Sequence, residues 1–458
     1  MIIEHLREIL GDKGLLVGAD VTSRSRSLIE SHKPCTAKAI VRPDSTDQLA
    51  AVMRLCHGAG QPIVPMGGGT GVVRGCVAGP HEIQLSLERM TVIEAIDTSG
   101  RTVTVQAGAT LQAVQQAVAD RGLFLPLDLG ARGSATIGGN IATNAGGNRV
   151  FRYGMTRDMV LGLEAVLADG TVVSSLNHMI KNNAGYDIKQ MFIGSEGTLG
   201  IVTRAVLRLR EQPRSHNVAL VALETFDKLK QFLKQIDGAL GGSLSAFEVM
   251  WNNFYTMVTA PSAMNRAPLA GDYPYYVLVE SMGGDQTADY DCFVGSLTDA
   301  MEENLIVDAV VAKSDSERED FWTLRDSIEI FFSHKPWYGF DVSLKINDMA
   351  EYIRQVEGDL RSHWPAYKHI VFGHIADGNI HMMISAGGCS EGDKLTVERI
   401  IYGHLKQYGG SVSAEHGIGM EKKPYLAISR NKNEISVMRL LKTAFDPKDI
   451  LNPGRVLE

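Results

Sequence analysis

Little in this 458-residue chain could cross-link it or anchor it. Cysteine is scarce: Cys35, Cys56, Cys76, Cys292 and Cys389 are odd in number and scattered, with no Cys-x-x-Cys pair. That excludes a disulfide scaffold and predicts isolated thiols in a reducing, intracellular setting. No apolar run approaches the roughly 18 residues of a membrane span, so no transmembrane helix is expected. Positive charge is in short supply, 45 Lys and Arg against 53 Asp and Glu, and the net charge of −8 removes any generic attraction for nucleic acid. The stretch Met1–Gly11 lacks the apolar core and cleavage site of a signal peptide, and its Glu4 and Glu8 argue against an organelle transit peptide. The expected location is the cytoplasm, with room for peripheral membrane association.

Glycine, by contrast, is plentiful. The 47 glycines exceed the usual share of about 7% and cluster without a period of three, which excludes collagen and points to glycine-rich ligand loops. At 44% hydrophobic and 21% charged, the composition is that of a soluble globular protein. The length suits two or three domains of roughly 100–200 residues.

Along the chain, Asp44 and Ser45 open a helix with Leu49, Val52, Met53 and Cys56 at helical spacing, closing near Gly58 and Gly60. A short strand at 63–65 leads into Gly67–Gly71, and an alternating strand at 101–105 precedes a helix over 110–118. From Gly130 to Gly147, and again over 194–200, small residues replace any periodic pattern. Such loops bring peptide N–H groups close to a bulky ligand because no side chain intervenes. The polar, proline-containing 211–216 segment predicts a domain boundary. Beyond it, a helix over 226–236, a strand over 275–280 and a mostly helical 289–304 indicate a second, α+β domain. The expected division is 1–212, 213–410 and a C-terminal segment 411–458 that returns to the first domain.

Neither common nucleotide motif fits the first loop. After Gly67 and Gly69 a G-x-G-x-x-G pattern would need glycine where Val72 stands, and no Gly-Lys-Ser/Thr follows as in a Walker loop. Three other segments match one pattern together: Pro65-Met66-Gly67-Gly68-Gly69-Thr70-Gly71, then 126–147, then Gly194-Ser195-Glu196-Gly197-Thr198-Leu199-Gly200-Ile201. They resemble the FAD-binding segments of the vanillyl-alcohol-oxidase-type flavoproteins. The resemblance implies an α+β fold, with a two-lobed FAD-binding domain and an α+β cap domain. It also implies FAD contacts at Pro65, Gly67, Gly68, Gly69, Thr70 and Gly71 in the first segment. In the second it implicates Asp128, Gly133, Ser134, Ile137, Gly138, Gly139, Asn140, Thr143, Asn144, Gly146 and Gly147, and in the third Glu196, Gly197, Gly200 and Ile201. Thr70-Gly71 stands where some members carry an attachment histidine, so the resemblance implies non-covalent FAD.

The late segments Gly373-His374-Ile375-Ala376-Asp377-Gly378-Asn379-Ile380-His381 and Ser413-Ala414-Glu415-His416-Gly417 carry the sharpest chemistry. Two His and a Glu with an open fourth position make a common catalytic zinc set, and an Asp-Gly-Asn turn between short strands could fold the histidines together. With Phe321-Trp322-Thr323-Leu324-Arg325-Asp326 and the terminal Leu451-Asn452-Pro453-Gly454-Arg455, these segments resemble the FAD-dependent D-2-hydroxy-acid dehydrogenases, whose substrates include D-2-hydroxyglutarate and D-lactate.

That resemblance implies metal ligands His374, His381 and Glu415, with zinc first and manganese or iron as alternatives. It makes His416 the catalytic base, and it puts Asn379 near the substrate and Asn452 near the flavin. Hydride would pass to FAD and the hydroxyl proton to His416. Arg325 would hold the substrate carboxylate. Where the hydroxyglutarate enzymes carry a Thr and a Lys, this chain has Glu329 and Gly339, with Lys345 as a candidate substitute, so the far end of the substrate stays open. The expected partners are a small 2-hydroxy acid and an electron acceptor, either an electron-transfer flavoprotein or a quinone, with room for a homodimer. Two other readings remain: a non-redox FAD enzyme of the alkyl-dihydroxyacetone-phosphate synthase type, and a catalytically silent flavin-binding subunit.

Overall fold

The computed structural model describes residues 2–263, 265–388 and 390–457, and Cys389 lies outside them. Capping places the first helices. Ser45 Oγ accepts from the Gln48 N–H to start Thr46–Ala59, and Gly60 ends that helix in the left-handed conformation. Thr110 does the same for Leu111–Ala119 through the Ala113 N–H. The second-domain helix begins earlier than its apolar pattern suggests, at Gln286 rather than 289. The Asp285 carboxylate caps the N–H groups of Thr287 and Ala288 there.

Packing divides the chain into two compact units. One takes the chain up to Gly147, residues 154–212 and everything from Glu415 on; the other takes Asn148–Tyr153 and Pro213–Ala414. Asn148–Tyr153 therefore leaves the expected first domain. Arg149 pairs with Glu280, and Arg152 donates to the carbonyls of Ser243 and Met282. Residues 411–414 likewise pack with the second unit.

The first unit holds two lobes. In one, Ala39–Val41 and Ile63–Met66 flank Ile83–Ser86 in parallel, and Leu15–Leu16 adds an antiparallel edge. The other is an antiparallel five-stranded sheet ordered Ile93–Asp97, Thr102–Gln106, Ile201–Arg208, Val160–Val166, Val172–Ser175. The chain's last residues rejoin the first lobe, where Ile63 exchanges backbone bonds with Ile450 and Asn452.

The second unit is a seven-stranded antiparallel sheet ordered Asp308–Val311, Ser215–Leu223, Tyr275–Gly283, Leu244–Trp251, Lys368–His374, Asn379–Ser385, Tyr338–Ser343. Its central strands are buried along nearly their whole length because both faces are covered. Val218, Leu220 and Ala222 join a cluster with Phe321 and Leu324 of the helix Asp315–Asp326. Alternation turns Ala219, Val221 and Leu223 to the opposite face. No helix among the described residues is long and apolar enough to cross a membrane.

Candidate active site

In the first unit the three glycine segments converge on one cavity of about 670 Å³, a size suited to an organic cofactor. Pro65, Gly67, Gly68, Gly69, Thr70 and Gly71 line it, with Ser134, Gly138, Gly139, Asn140, Thr143 and Gly146 from the second segment. Glu196, Gly197, Gly200 and Ile201 complete the set, and Glu415 and His416 reach the same wall. Close backbone approach explains the glycine at 68: a Cβ there would sit 1.8 Å from the Ser134 carbonyl oxygen.

Thr136 accepts from the Gly139 N–H to begin Ile137–Thr143, which carries Asn140 into the wall. Asn140 is 5% exposed and its amide nitrogen has no partner among the described residues. A buried donor facing a glycine-walled cavity fits a polar cofactor such as FAD. The segments Ser86–Glu88 and Ala107–Thr110 also contribute wall positions, and no glycine cluster or repeat marks them in the sequence.

Six residues expected at the flavin are not among those lining the cavity. Asp128 bridges to Gly147 along the backbone, and Gly133 is exposed. Ile137 is core, while Asn144 closes its helix in the left-handed conformation and binds the Arg157 N–H. Asn452 donates to the carbonyls of Gly75 and Glu196 and so ties the chain's end to two cavity loops. Glu196 has a double duty: its carboxylate accepts from the N–H groups of Ile418 (2.7 Å) and Gly419 (2.9 Å) just after His416. Burial raises its pKa, and those N–H groups and the Lys422 charge offset part of that rise. Glu415 is oriented by the Gly147 N–H at 2.6 Å.

In the second unit, Lys368–His374 and Asn379–Ser385 form the hairpin expected from the Asp-Gly-Asn turn, with Gly378 at φ +93°. His374 and His381 come together with ring centroids 5.3 Å apart. Register sets a carboxylate opposite each: Glu248 faces His374, and Asp341 faces His381. Glu248 Oε1 lies 2.6 Å from His374 Nδ1, while its Oε2 accepts from Arg325 Nε at 2.9 Å. Burial alone would push the Glu248 carboxyl up, but the His374 ring and the Arg325 guanidinium beside it outweigh that and hold the group below its ordinary range. With Nδ1 engaged, His374 presents Nε2, 3.4 Å from Arg325 Nη2. Imidazole donors of this kind fit a divalent transition metal.

Asp341 accepts from Ser413 Oγ and the Ala414 N–H, and its Oδ1 is 4.0 Å from His381 Nδ1. Asn379 is 3% exposed and neither polar atom of its amide has a partner among the described residues. Arg325 is buried rather than free on a surface, while Lys345 and Glu329 are exposed. Glu248 and Asp341 escaped the sequence reading. Their signal was available, since each is a lone acid amid apolar strand residues, a placement that costs free energy without a partner.

A cavity walled by glycine loops, in a unit with this topology, defines a flavoprotein of the vanillyl-alcohol-oxidase type. A family model for an FAD binding domain matches residues 37–175, and one for the C-terminal domain of FAD linked oxidases matches 212–456. The structure of p-cresol methylhydroxylase with substrate bound shares the fold at TM-score 0.78 and 16% identity, over 99% of this chain and 96% of that one. An alkyldihydroxyacetonephosphate synthase does so at 0.76 and 18%, over 99% and 84%.

Among curated proteins, the D-2-hydroxyglutarate dehydrogenase of Xanthomonas citri pv. viticola is 40% identical over 92% of this chain and 89% of its own length. The mitochondrial enzyme of that name from Bos taurus is 38% identical over 92% and 77%. A putative mitochondrial D-lactate dehydrogenase of Schizosaccharomyces pombe is 34% identical over 98% and 89%. The chain belongs to the FAD-dependent D-2-hydroxy-acid dehydrogenase family and is an oxidoreductase.

Proposed function

We propose that this protein oxidises a D-2-hydroxy acid to the 2-oxo acid, with D-2-hydroxyglutarate the first candidate because relatives over nearly the whole chain bear that name. The observation that carries the reading is the hairpin, where two buried imidazoles stand beside an asparagine amide with no partner of its own. FAD, held non-covalently in the glycine-walled cavity, supplies the hydride acceptor. A divalent metal, zinc first, would be held by His374, His381 and Glu415 and would supply Lewis acidity toward the substrate's oxygens.

The chain's own groups do the rest. His416 takes the hydroxyl proton on its imidazole. The Asn379 amide, a donor and an acceptor without internal partners, holds substrate oxygens. Arg325, pre-oriented by Glu248, brings its positive charge to a substrate carboxylate. With Glu329 and Gly339 at positions where other members carry Thr and Lys, Lys345 is the candidate for the substrate's far end. The electrons taken from the substrate would go on to an electron-transfer flavoprotein or a quinone.

The test is turnover of a panel of D- and L-2-hydroxy acids by the purified chain with an artificial dye acceptor. D-selective reduction, strongest with D-2-hydroxyglutarate or D-lactate, is the expected result. Reduction by the L forms alone, or by none of the panel, overturns the reading.

A further inference from the structure

Glu248 is 1% exposed, in the middle of the apolar strand Leu244–Trp251, where a leucine or valine would pack without desolvating a charge. Sheet register puts it directly opposite His374 on the neighbouring strand, so their side chains share one face at close range. One carboxylate oxygen meets His374 Nδ1 at 2.6 Å, and the other binds Arg325 Nε at 2.9 Å and Nη2 at 2.8 Å.

Arg325 donates to one carboxylate oxygen and the ring edge meets the other, so the contact geometry calls for an N–H at His374 Nδ1 and leaves the lone pair on Nε2. The neighbouring guanidinium agrees. Arg325 Nη2 approaches Nε2 to 3.4 Å, an arrangement of donor toward lone pair that a second ring proton would turn into repulsion. The ring has little freedom left, being bonded on one edge and lying edge-to-face with His381 at an interplanar angle of 84°.

We propose that Glu248 is a positioning residue for the metal, holding His374 in the Nδ1–H tautomer and in one ring orientation so that Nε2 is presented as a ligand atom. The assignment rests on the reading of His374 as a metal ligand. It adds an outer carboxylate, 126 residues distant in sequence, that raises the ligand's basicity and removes the ring flip that binding would otherwise have to freeze. The competing role is purely architectural: Glu248 would then only neutralise the buried Arg325.

The two roles separate in a metal titration. The FAD-loaded protein is stripped with a chelator and titrated with zinc against a chromophoric competitor, for the wild type, Glu248→Gln and Glu248→Leu. Flavin content and the melting temperature of the metal-free form are recorded alongside. Outer carboxylates of liganding histidines are worth about 10–100-fold in metal affinity. Glu248→Gln, which keeps the shape and an acceptor but loses the charge, is expected near the lower figure, and Glu248→Leu near the upper.

Leucine takes from the buried Arg325 its Glu248 partner, leaving Asp326 at the other end of the guanidinium, and can prevent folding, so the glutamine variant carries the decision. Zinc affinity within twofold of wild type in Glu248→Gln, at equal flavin content, overturns the proposal whatever the melting temperature does. A wild type that binds no zinc overturns the metal reading of His374, and this assignment with it. A tight-binding wild type with an equally tight variant overturns this assignment alone.

Discussion

Replacing Asn140 by leucine should strengthen the empty protein and weaken its hold on FAD, two effects of opposite sign from one side chain. Asn140 is 5% exposed on the helix Ile137–Thr143, lines the cavity, and has no partner for its amide nitrogen. An unsatisfied buried donor costs about 1–3 kcal/mol. Leucine has the same branched shape, with bulkier methyl ends that can reach into the cavity, and nothing to satisfy, so the FAD-free protein should keep its stability or gain up to about 1 kcal/mol. With FAD bound, the same change removes a hydrogen bond to a strongly polar or charged group, worth about 1.5–3 kcal/mol. At 1.4 kcal/mol per factor of ten, that is a loss of roughly 10- to 100-fold in affinity.

FAD is removed with acid, the denaturant midpoint of the flavin-free chain is measured, and FAD is titrated back by fluorescence quenching. Asn140→Asp is the companion, equal in size but with an anion in place of the donor, and should bind FAD more weakly still. An FAD affinity within twofold of wild type in Asn140→Leu would refute the reasoning. So would a flavin-free leucine variant destabilised by more than about 1 kcal/mol, because the donor would then have had a partner worth keeping.

Three further outcomes are expected. Gly68→Ala should yield protein largely without flavin, since its Cβ would meet the Ser134 carbonyl at 1.8 Å and part the two loops; normal absorbance at 450 nm or thereabouts in the purified variant would contradict this. Burial pushes the Glu280 carboxyl up, but Arg149 and His216 outweigh it and hold it well below its ordinary 4.5, so the stability it contributes is full above that value and is lost as pH falls beneath it. Glu280→Gln should therefore cost about 3–5 kcal/mol near neutrality, where Arg149 loses its Glu280 carboxylate, and the gap to wild type in urea melts should narrow below pH 4.5; a gap that is the same at both pH values refutes the assignment. His416→Ala should keep FAD and metal yet lose roughly 10²–10⁴-fold in turnover, and loss of metal from that variant would show His416 to be a ligand rather than a base.

Local signals carried a large part of this protein in its sequence. Ser45 and Thr110 each cap a helix through their own side chain, and the Asp-Gly-Asn turn sets the His374–His381 hairpin, because caps and turns are interactions over a few residues; the short helix Ile137–Thr143, capped by Thr136 inside the glycine-rich stretch, has no apolar period to announce it. The glycine loops were readable for a related reason. A missing side chain is visible as composition, and most of their residues do line the cavity. The helix Gln286–Glu302 starts ahead of its apolar pattern because Asp285, four residues before 289, caps it.

What tertiary structure alone decided are the partnerships made across the chain. Arg325 reads as a free fork in its own segment, yet it is held by Glu248, 77 residues away. Glu248 and Asp341 become the neighbours of His374 and His381 through strand register, a property of paired strands that no single strand encodes. Asn148–Tyr153 belongs with the second unit because Glu280, 131 residues on, offers Arg149 a buried carboxylate. A buried charge advertises that it needs a partner, but which partner it finds is settled only when the sheet has formed around it.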